Sequence, residues 1–334
     1  MTGASSWAGW SSCRNEPFLH DRGAALMEFG PHLTLALIEG AVTAAVLALT
    51  ASGLSLVFGV MRVVNIAHGA FFMLGAVLAW WIAQAIGGHP AWGFGAALIA
   101  APLMVGALAA AADAAVLRRL AHDPERTIVA TIGLLYIIEQ VTLMTYGPEA
   151  RPVVAPFNAR IALPWIERGA EGWQVIWPWG FGTTTYKLAV IGAAMAMVAG
   201  LWLFLARTRA GLVLRATQAD REMATAFGIP VAKVYALTFG LGAGLAALAA
   251  VLIVPIRQAH YLMGGDPLLL SFVVVIIGGL GSLPGTLLAA VLIGLSDGII
   301  SVFFSPTLAK IVATLMVALV LVFRPQGLFG SRPA

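Results

Sequence analysis

Long stretches without a charged residue recur along most of the chain, and this pattern limits its possible folds more than any other feature. A helix needs about 20 apolar residues to cross the hydrocarbon core of a bilayer. Charged residues make up only 10% of the chain, whereas soluble domains carry about 25%. The sequence therefore predicts an all-α, polytopic integral membrane protein with about 8–10 transmembrane helices. The nine predicted crossings are residues 33–58, 69–87, 93–117, 127–146, 186–206, 234–255, 268–282, 284–304 and 306–323.

The N-terminal residues differ in composition from the rest of the chain. They are polar and irregular, and they lack the apolar stretch of about 7–15 residues that a signal peptide needs. We therefore interpret residues 1–31 as a polar tail, with Met27 as an alternative start, and residues 32–330 as one transmembrane domain. Cys13 is the only cysteine, which excludes an internal disulfide and a multi-cysteine metal site.

Basic residues fall mainly in short gaps between the apolar runs, as the positive-inside rule describes. With a cytoplasmic C-terminus, nine crossings place the N-terminus outside. Short loops then carry eleven basic residues inside and two outside. The basic residues do not cluster with aromatics in a polar stretch, so no nucleic-acid partner is expected. The inside residues are Arg62, Arg118, Arg119, Arg126, Arg207, Arg209, Arg215, Arg221, Lys233, Arg324 and Arg332, and the outside residues are Arg257 and Lys310.

Two loops are longer than a turn. The predicted periplasmic loop, residues 147–185, is rich in aromatic residues and prolines, which favours a packed surface element over a linker. The predicted cytoplasmic loop, residues 207–233, has apolar residues at helical spacing among charged ones. This spacing predicts a short amphipathic helix, or a pair of helices, on the cytoplasmic side. A plain solvated loop remains the alternative for the second stretch.

Two apolar segments, residues 55–79 and 273–295, each have a polar or glycine-rich centre. Paired interrupted segments in the two halves of a chain point to a transport site, because freed backbone groups are tolerated there only where they line a cavity. The alternative is that the small residues only let helices pack closely. The candidate pathway residues are Asn65, His68, Gly69, Gly278, Gly279, Gly281, Ser282 and Gly285.

The sequence lacks the motifs of nucleotide hydrolysis and of zinc-dependent proteolysis. The chain has no G-x-x-x-x-G-K-[ST] motif, so it cannot hydrolyse ATP by the P-loop route. It also has no H-E-x-x-H or paired aspartate motif. His68 stands beside a glycine with no carboxylate nearby in sequence, which favours a helix-end hydrogen bond over metal ligation. We therefore expect no enzyme activity, cofactor or metal.

Five segments, in order, resemble the branched-chain amino acid permease family of ABC importers, and the resemblance covers about residues 33–330. Five ordered matches are far more specific than any one of them. The segments are RVVNIAHGAFFMLGA (62–76), RATQADREMATAFGI (215–229), YALTFGLGAGLAALAAVL (235–252), GGLGSLPGTLLAAVLIGL (278–295) and FRPQGLF (323–329).

The resemblance implies a set of partners. In that family two homologous permeases form the pore in the bacterial inner membrane, two ATPase subunits bind beneath, and a periplasmic solute-binding protein delivers Leu, Ile or Val. Relatives carry urea, short amides or other amino acids. Residues 215–228 would be the loop that docks on the ATPase, although Met223 departs from the usual Glu-Ala-Ala pattern. The implied coupling residues are Arg215, Asp220, Arg221, Glu222, Ala224 and Gly228.

An ion-coupled secondary transporter of small solutes is the alternative function. Its candidate groups are four acids inside apolar runs, Glu39, Asp113, Glu139 and Asp297, because intramembrane ionisable residues are functional candidates by default. Asp113 lies about one turn before Arg118 and is expected to pair with it near the interface.

Overall fold

The computed structural model describes residues 22–162, 165–169, 172–176 and 182–329. Residues 1–21 of the predicted N-terminal tail lie outside that part. Two antiparallel strand pairs interrupt an otherwise helical chain: β1 (Arg160–Ala162) with β4 (Gly182–Thr184), and β2 (Trp165–Gly169) with β3 (Gly172–Ile176). The helices are α1 (Arg22–Met61), α2 (His68–Ile86), α3 (Pro90–Ala115), α4 (Pro124–Tyr146), α5 (Thr185–Arg207), α6 (Arg209–Ala219), α7 (Arg221–Ala226), α8 (Val231–Ile253), α9 (Gly265–Gly278), α10 (Leu283–Phe303) and α11 (Pro306–Phe323).

Eight helices in the described residues are long and apolar enough to cross a membrane, which confirms the polytopic all-α prediction. The predicted crossing at 268–282 differs, because α9 has only 14 residues. At 1.5 Å per residue it is about 21 Å long, shorter than the roughly 30 Å hydrocarbon core. The helix ends at Gly278 because Gly279 and Gly281 adopt positive φ angles of 101° and 78°.

Local sequence signals explain where several helices begin. Asp123, Ser282 and Ser305 each precede a helix and accept a hydrogen bond from a backbone N–H two or three residues into it. A proline stands in the first turn of each of these helices. Such caps satisfy amide groups that have no partner within the helix, and proline needs no amide partner there.

Helix α1 lies at the centre of the bundle and packs against α5, α8, α9 and α10. Small residues make this packing close. Gly53 faces the backbone of Gly242 on α8, and Gly294 on α10 faces Ala44. Interfaces between membrane helices are enriched in such residues because they let backbones approach. These glycines of the described helices therefore serve ordinary helix packing.

The two ends of the bundle carry different contacts. Gly59 near the end of α1 lies beside Gly281 and the side chain of Gln218 on α6. We call this the inner end, since it holds the 207–233 region with its basic residues. At the opposite, outer end, Lys187 forms an ion pair with Glu39. When the short α9 is counted between α8 and α10, successive apolar helices run in opposite directions between these ends.

Both predicted long loops contain regular secondary structure in their described residues. Residues 207–233 contain the helix pair α6 and α7, which confirms the prediction of short helices. The loop after α4 is tied to the bundle at Ala259, whose backbone exchanges two hydrogen bonds of 2.9 Å with Arg151. Tyr146 also donates its hydroxyl to the Ala259 carbonyl (3.0 Å). The Arg151 guanidinium lies over the rings of Trp80 and Tyr146.

A non-helical segment of the chain meets the start of α2 inside the bundle. Residues 62–67 connect α1 to α2, and residues 254–264, which we call the entry segment, connect α8 to α9. A Cβ atom at Gly69 would lie 2.6 Å from the carbonyl oxygen of Gly264, and one at Gly264 would overlap the Gly69 carbonyl. His68 bonds to Thr50, eleven residues before the end of α1, so this contact lies about 16 Å along α1 from the inner end.

We predict that Gly264→Ala destabilises the protein by about 1–3 kcal/mol, the usual effect of overpacking, because its methyl group has no space beside Gly69. Gly265→Ala is the matched control, since a Cβ there meets nothing within 4 Å. Apparent thermal unfolding midpoints of the two purified variants check this. Equal midpoints would show that the close contact between Gly69 and Gly264 does not contribute to stability.

Candidate functional site

The first predicted interruption, Asn65 to Gly69, is buried where α2 begins. Asn65 is 1% exposed, and neither its amide nitrogen nor its amide oxygen has a hydrogen-bond partner in the described chain. Buried polar groups in folded proteins nearly always have partners. His68 is fully buried and its Nε2 lies 2.9 Å from the Thr50 carbonyl oxygen. Because a carbonyl only accepts, Nε2 carries the proton, and His68 makes the expected helix-end hydrogen bond.

The second predicted interruption, Gly278 to Gly285, forms the turn between α9 and α10 at the inner end. Gly278 and Gly285 face each other with no space for a Cβ at either. Ser282 accepts a hydrogen bond from the Gly285 amide and so caps α10. The chain after α11 covers the turn, since the Phe329 amide donates to the Gly278 carbonyl (3.1 Å) and Gly327 packs on Gly279.

The two predicted interruptions do not meet each other. Instead, Gly69 meets Gly264 at the end of the entry segment, whereas Gly281 meets Gly59 and Gln218. The entry segment is not among the elements predicted from sequence, because one predicted crossing ends at residue 255 and the next begins at 268. Pro255 and Pro267, with the Gly264–Gly265 pair between them, were the signals that could have found it.

A cavity of about 610 Å³ lies on the outer side of the Gly69–Gly264 contact. It is bounded by α1, α9, α10, α11 and the entry segment, and it contacts α2 at Phe72. We call it the outward cavity. Ligand pockets are typically of this size, with a mainly apolar lining and a few polar groups. Its buried apolar floor consists of Val46, Leu47, Phe72, Ile253, Met263 and Leu270.

Charged side chains line the mouth of the outward cavity. Glu39 is held by Lys187, and Asp266 accepts a hydrogen bond of 2.7 Å from Lys310. Asp297 and Arg257 also line the cavity, but neither takes part in an ion pair within the described residues. The sequence reasoning treated Glu39 and Asp297 only as candidate groups of an ion-coupled carrier. It did not place them in one cavity with Arg257.

Asp113 does not pair with Arg118, so that expectation is wrong. Its partner is His122, whose Nε2 lies 2.9 Å from Asp113 Oδ1. A 3₁₀ turn at Leu117–Leu120 folds the chain back after α3 and brings His122 to Asp113. His122 also packs edge-on against the ring of Tyr235 at the start of α8.

The predicted coupling residues surround α7 at the inner end. Asp220 caps α7 by accepting hydrogen bonds from the amides of Glu222 (2.8 Å) and Met223 (3.0 Å). Ala224 is buried, and the Arg221 guanidinium lies 5.4 Å from the centre of the Tyr235 ring. Gly228 ends the helix pair with a φ of 81°, a conformation that glycine adopts without strain.

Several residues in and beside this helix pair are exposed in the described chain. Phe227 is 79% exposed and Met223 is 53% exposed, while Arg215 is exposed with its guanidinium 3.5 Å from the Ala206 carbonyl. Exposed apolar surface rimmed by polar residues is one mark of a protein interaction site, and Phe227 and Met223 supply such surface here.

Helix α6 connects this exposed face to the bundle. Gln218 donates from Nε2 to the Gly281 carbonyl at 3.1 Å, and its side chain lies against Gly59 of α1. A single side chain on α6 therefore contacts both α1 and the turn that leads into α10.

Comparisons with known proteins agree with the family resemblance. The sequence profile of the family described as "Branched-chain amino acid transport system / permease component" matches residues 36–321. The high-affinity branched-chain amino acid transport system permease protein LivH of Escherichia coli K12 is 28% identical over 309 residues, which cover 88% of this chain and 94% of LivH. BraD of Pseudomonas aeruginosa, named as a permease protein of the same kind of system, is 27% identical over 316 residues, covering 90% and 96%.

A more distant relative is the probable branched-chain amino acid transport permease protein LivH of Methanocaldococcus jannaschii, 24% identical over 303 residues, which cover 88% of this chain and 92% of that protein. No solved structure matches the chain significantly. The matching profile spans most of the chain and the relatives align over nearly their whole length. The chain therefore belongs to the branched-chain amino acid transport permease family, and it is a multi-pass membrane permease component rather than an enzyme.

Proposed function

We propose that this chain is one pore-forming subunit of an ATP-driven importer that moves branched-chain amino acids, or related small amino acids and amides, across the bacterial inner membrane. The observation that carries the proposal is the exposed α6–α7 pair, which is joined to α1 and to the α9–α10 turn through Gln218. The relatives' names state a high-affinity branched-chain amino acid transport system, which supports the substrate class.

The proposed assembly contains a second homologous permease, two ABC ATPase subunits, and a periplasmic solute-binding protein. An ATPase is needed because this chain has no P-loop. A second permease accounts for the incomplete enclosure of the described helices. In α11, for example, only 11% of the most apolar stretch is buried within the chain. The surrounding lipid and a partner permease would cover such faces.

In the proposed mechanism, α7 docks in a cleft of the ATPase with Phe227 and Met223 as its apolar contacts. Closure of the ATPases on ATP moves the α6–α7 pair. Since Gln218 touches Gly59 and bonds to Gly281, this movement acts directly on the inner ends of α1 and α10. Arg215, Asp220, Arg221, Glu222, Ala224 and Gly228 shape and orient the docking helix.

The proposed pathway begins at the outward cavity and is closed below it by the Gly69–Gly264 contact. Separation of these two backbones would extend the cavity towards the inner end. The unpaired amide of Asn65 and the Nδ1 atom of His68 would then gain solute or water as partners. At the inner end, Gly278, Gly279, Gly281, Ser282 and Gly285 form the turn that the coupling helices would displace.

The first prediction concerns the energy source. Uptake of leucine into vesicles should require ATP and the partner ATPase subunits, because the chain cannot hydrolyse ATP itself. Vesicles with the complete assembly and ATP, but with proton and sodium gradients collapsed, should still accumulate leucine. Uptake by this chain alone, driven by either ion gradient, would instead establish the ion-coupled carrier.

The second prediction concerns docking. Glu222→Arg should weaken assembly with the ATPase by about fivefold, because it reverses an exposed charge at the edge of the proposed interface. The matched control is Glu125→Arg, an exposed acid at the inner end on α4. Co-purification of the subunits measures both. If a crosslinker at position 222 or 226 never captures the ATPase in importing membranes, α7 is a plain solvated helix.

The third prediction concerns transmission. Gln218→Ala removes a hydrogen bond worth about 0.5–1.5 kcal/mol between α6 and the α9–α10 turn. ATP hydrolysis by the assembled importer should continue while import per ATP falls. Gln326→Ala is the control, since Gln326 is exposed in the turn after α11. An unchanged ratio of import to hydrolysis in Gln218→Ala would show that force does not pass through this contact.

A further inference from the structure

Among the carboxylate, lysine and arginine side chains that line the outward cavity, one of each charge is not engaged in an ion pair within the described chain. Of its charged lining residues, Glu39 is neutralised by Lys187, and Asp266 by Lys310. Asp297 on α10 and Arg257 in the entry segment remain. Both side chains line the same cavity, yet they form no ion pair in the described part of the chain. Each can therefore meet a ligand that enters the cavity.

An uncompensated charge this close to the membrane interior is costly unless something pairs with it. The Asp297 carboxylate is partly buried within a membrane-spanning helix. A ligand carrying both a cation and an anion would satisfy Asp297 and Arg257 together. Counted with Lys187, the charges around the cavity sum to zero, so a ligand without net charge leaves the balance unchanged.

Besides its two charges, such a ligand would have an apolar group, because the rest of the cavity is lined by apolar residues. Phe72, Val46 and Leu270 form an apolar floor that is closed to solvent. Burial of an aliphatic side chain against such a surface is favourable by about 25 cal/mol per Å² removed from water. The volume of about 610 Å³ leaves room for a small solute with its hydration water. An aliphatic α-amino acid has all three features, with the two charges adjacent to each other and the apolar group beyond them.

We propose that the outward cavity is a zwitterion-binding site, in which Asp297 binds the ammonium group, Arg257 binds the carboxylate, and the apolar floor receives the aliphatic side chain. This rests on the proposed function for the identity of the solute. The site lies within the permease itself and would bind the solute in addition to any recognition by a delivery protein. Guanidinium suits the carboxylate because it can donate two parallel hydrogen bonds.

Ser301 lines the same cavity and allows a direct test of occupancy. In the assembled importer, with Cys13 replaced by serine, Ser301→Cys supplies a thiol that a membrane-impermeant methanethiosulfonate reagent modifies from outside. Leucine at millimolar concentration, without ATP or delivery protein, should slow this modification by about fivefold, as a site four-fifths occupied requires. Isopentylamine, which lacks the carboxylate, and 4-methylpentanoate, which lacks the ammonium group, should give little protection.

Two charge-removing variants make the assignment of each group specific. In the Ser301→Cys background, Asp297→Asn should lose protection by leucine and gain protection by 4-methylpentanoate, because only Arg257 then needs a partner. Arg257→Gln should lose protection by leucine and gain protection by isopentylamine. Matched controls are Glu149→Gln and Arg160→Gln, exposed outer-loop residues that do not line the cavity, and both should keep full protection by leucine.

The outcomes separate this proposal from the proposed function. ATP-dependent leucine uptake without any protection at position 301 would overturn the zwitterion site and leave the function standing. Protection that is equal for leucine and the two singly charged analogues, or unaltered in Asp297→Asn, would also overturn it. Protection with the reciprocal switch, but without ATP-dependent uptake, would support the site and contradict the proposed energy source.

Discussion

Backbone groups that leave a helix within a membrane protein must find partners in the protein, because hydrocarbon offers none. The described chain leaves helical geometry at residues 62–67 and in the entry segment, and each stretch contains buried residues, among them Asn65 and Ala259. The entry segment meets the first turn of α2 at Gly264 and Gly69, and this contact is possible only because neither residue has a side chain. Helix α1 supplies a partner in the same region, since the Thr50 carbonyl accepts a hydrogen bond from the His68 side chain at the start of α2.

Helix α1 connects all three parts of the proposed transport machinery. Near its outer end it lines the cavity through Glu39 and Val46, midway it accepts the His68 hydrogen bond, and near its inner end Gly59 meets α6. A displacement at one end of such a helix is transmitted to its middle and its other end, because close-packed protein interiors have low compressibility. The proposed zwitterion site and the proposed coupling helices thus contact opposite ends of the same helix, α1.

Much of this architecture follows from hydrophobic pattern alone. Eight long helices and the amphipathic α6–α7 pair were predictable because their apolar residues recur at lengths and spacings that only helices satisfy. The turn at Gly278–Gly285 was identified as an interruption, but its position at the inner end depends on contacts with Gln218 and Phe329. Such contacts leave no periodic signal, so the pairing of the two interruptions could not be deduced.

The misassigned features share a physical cause. Asp113 finds His122 only because a 3₁₀ turn reverses the chain between them, whereas spacing along an ideal helix favoured Arg118. The entry segment is apolar enough to look like the end of one crossing and the start of another. Arg257 was consequently counted as a loop charge, although the fold brings it to the same cavity as Asp297. Tertiary structure, rather than local propensity, decides each case.

The attachment of the outer loop to Ala259 has a mechanical consequence. Ala259 belongs to the entry segment, and two backbone hydrogen bonds and the Tyr146 hydroxyl hold it to the loop that follows α4. Arg257 lies two residues away, and Gly264 five. A protein that binds the loop from outside the membrane and moves it would therefore also move the cavity wall at Arg257 and the contact at Gly264. The outer loop is thus directly linked to the segment that closes the proposed pathway.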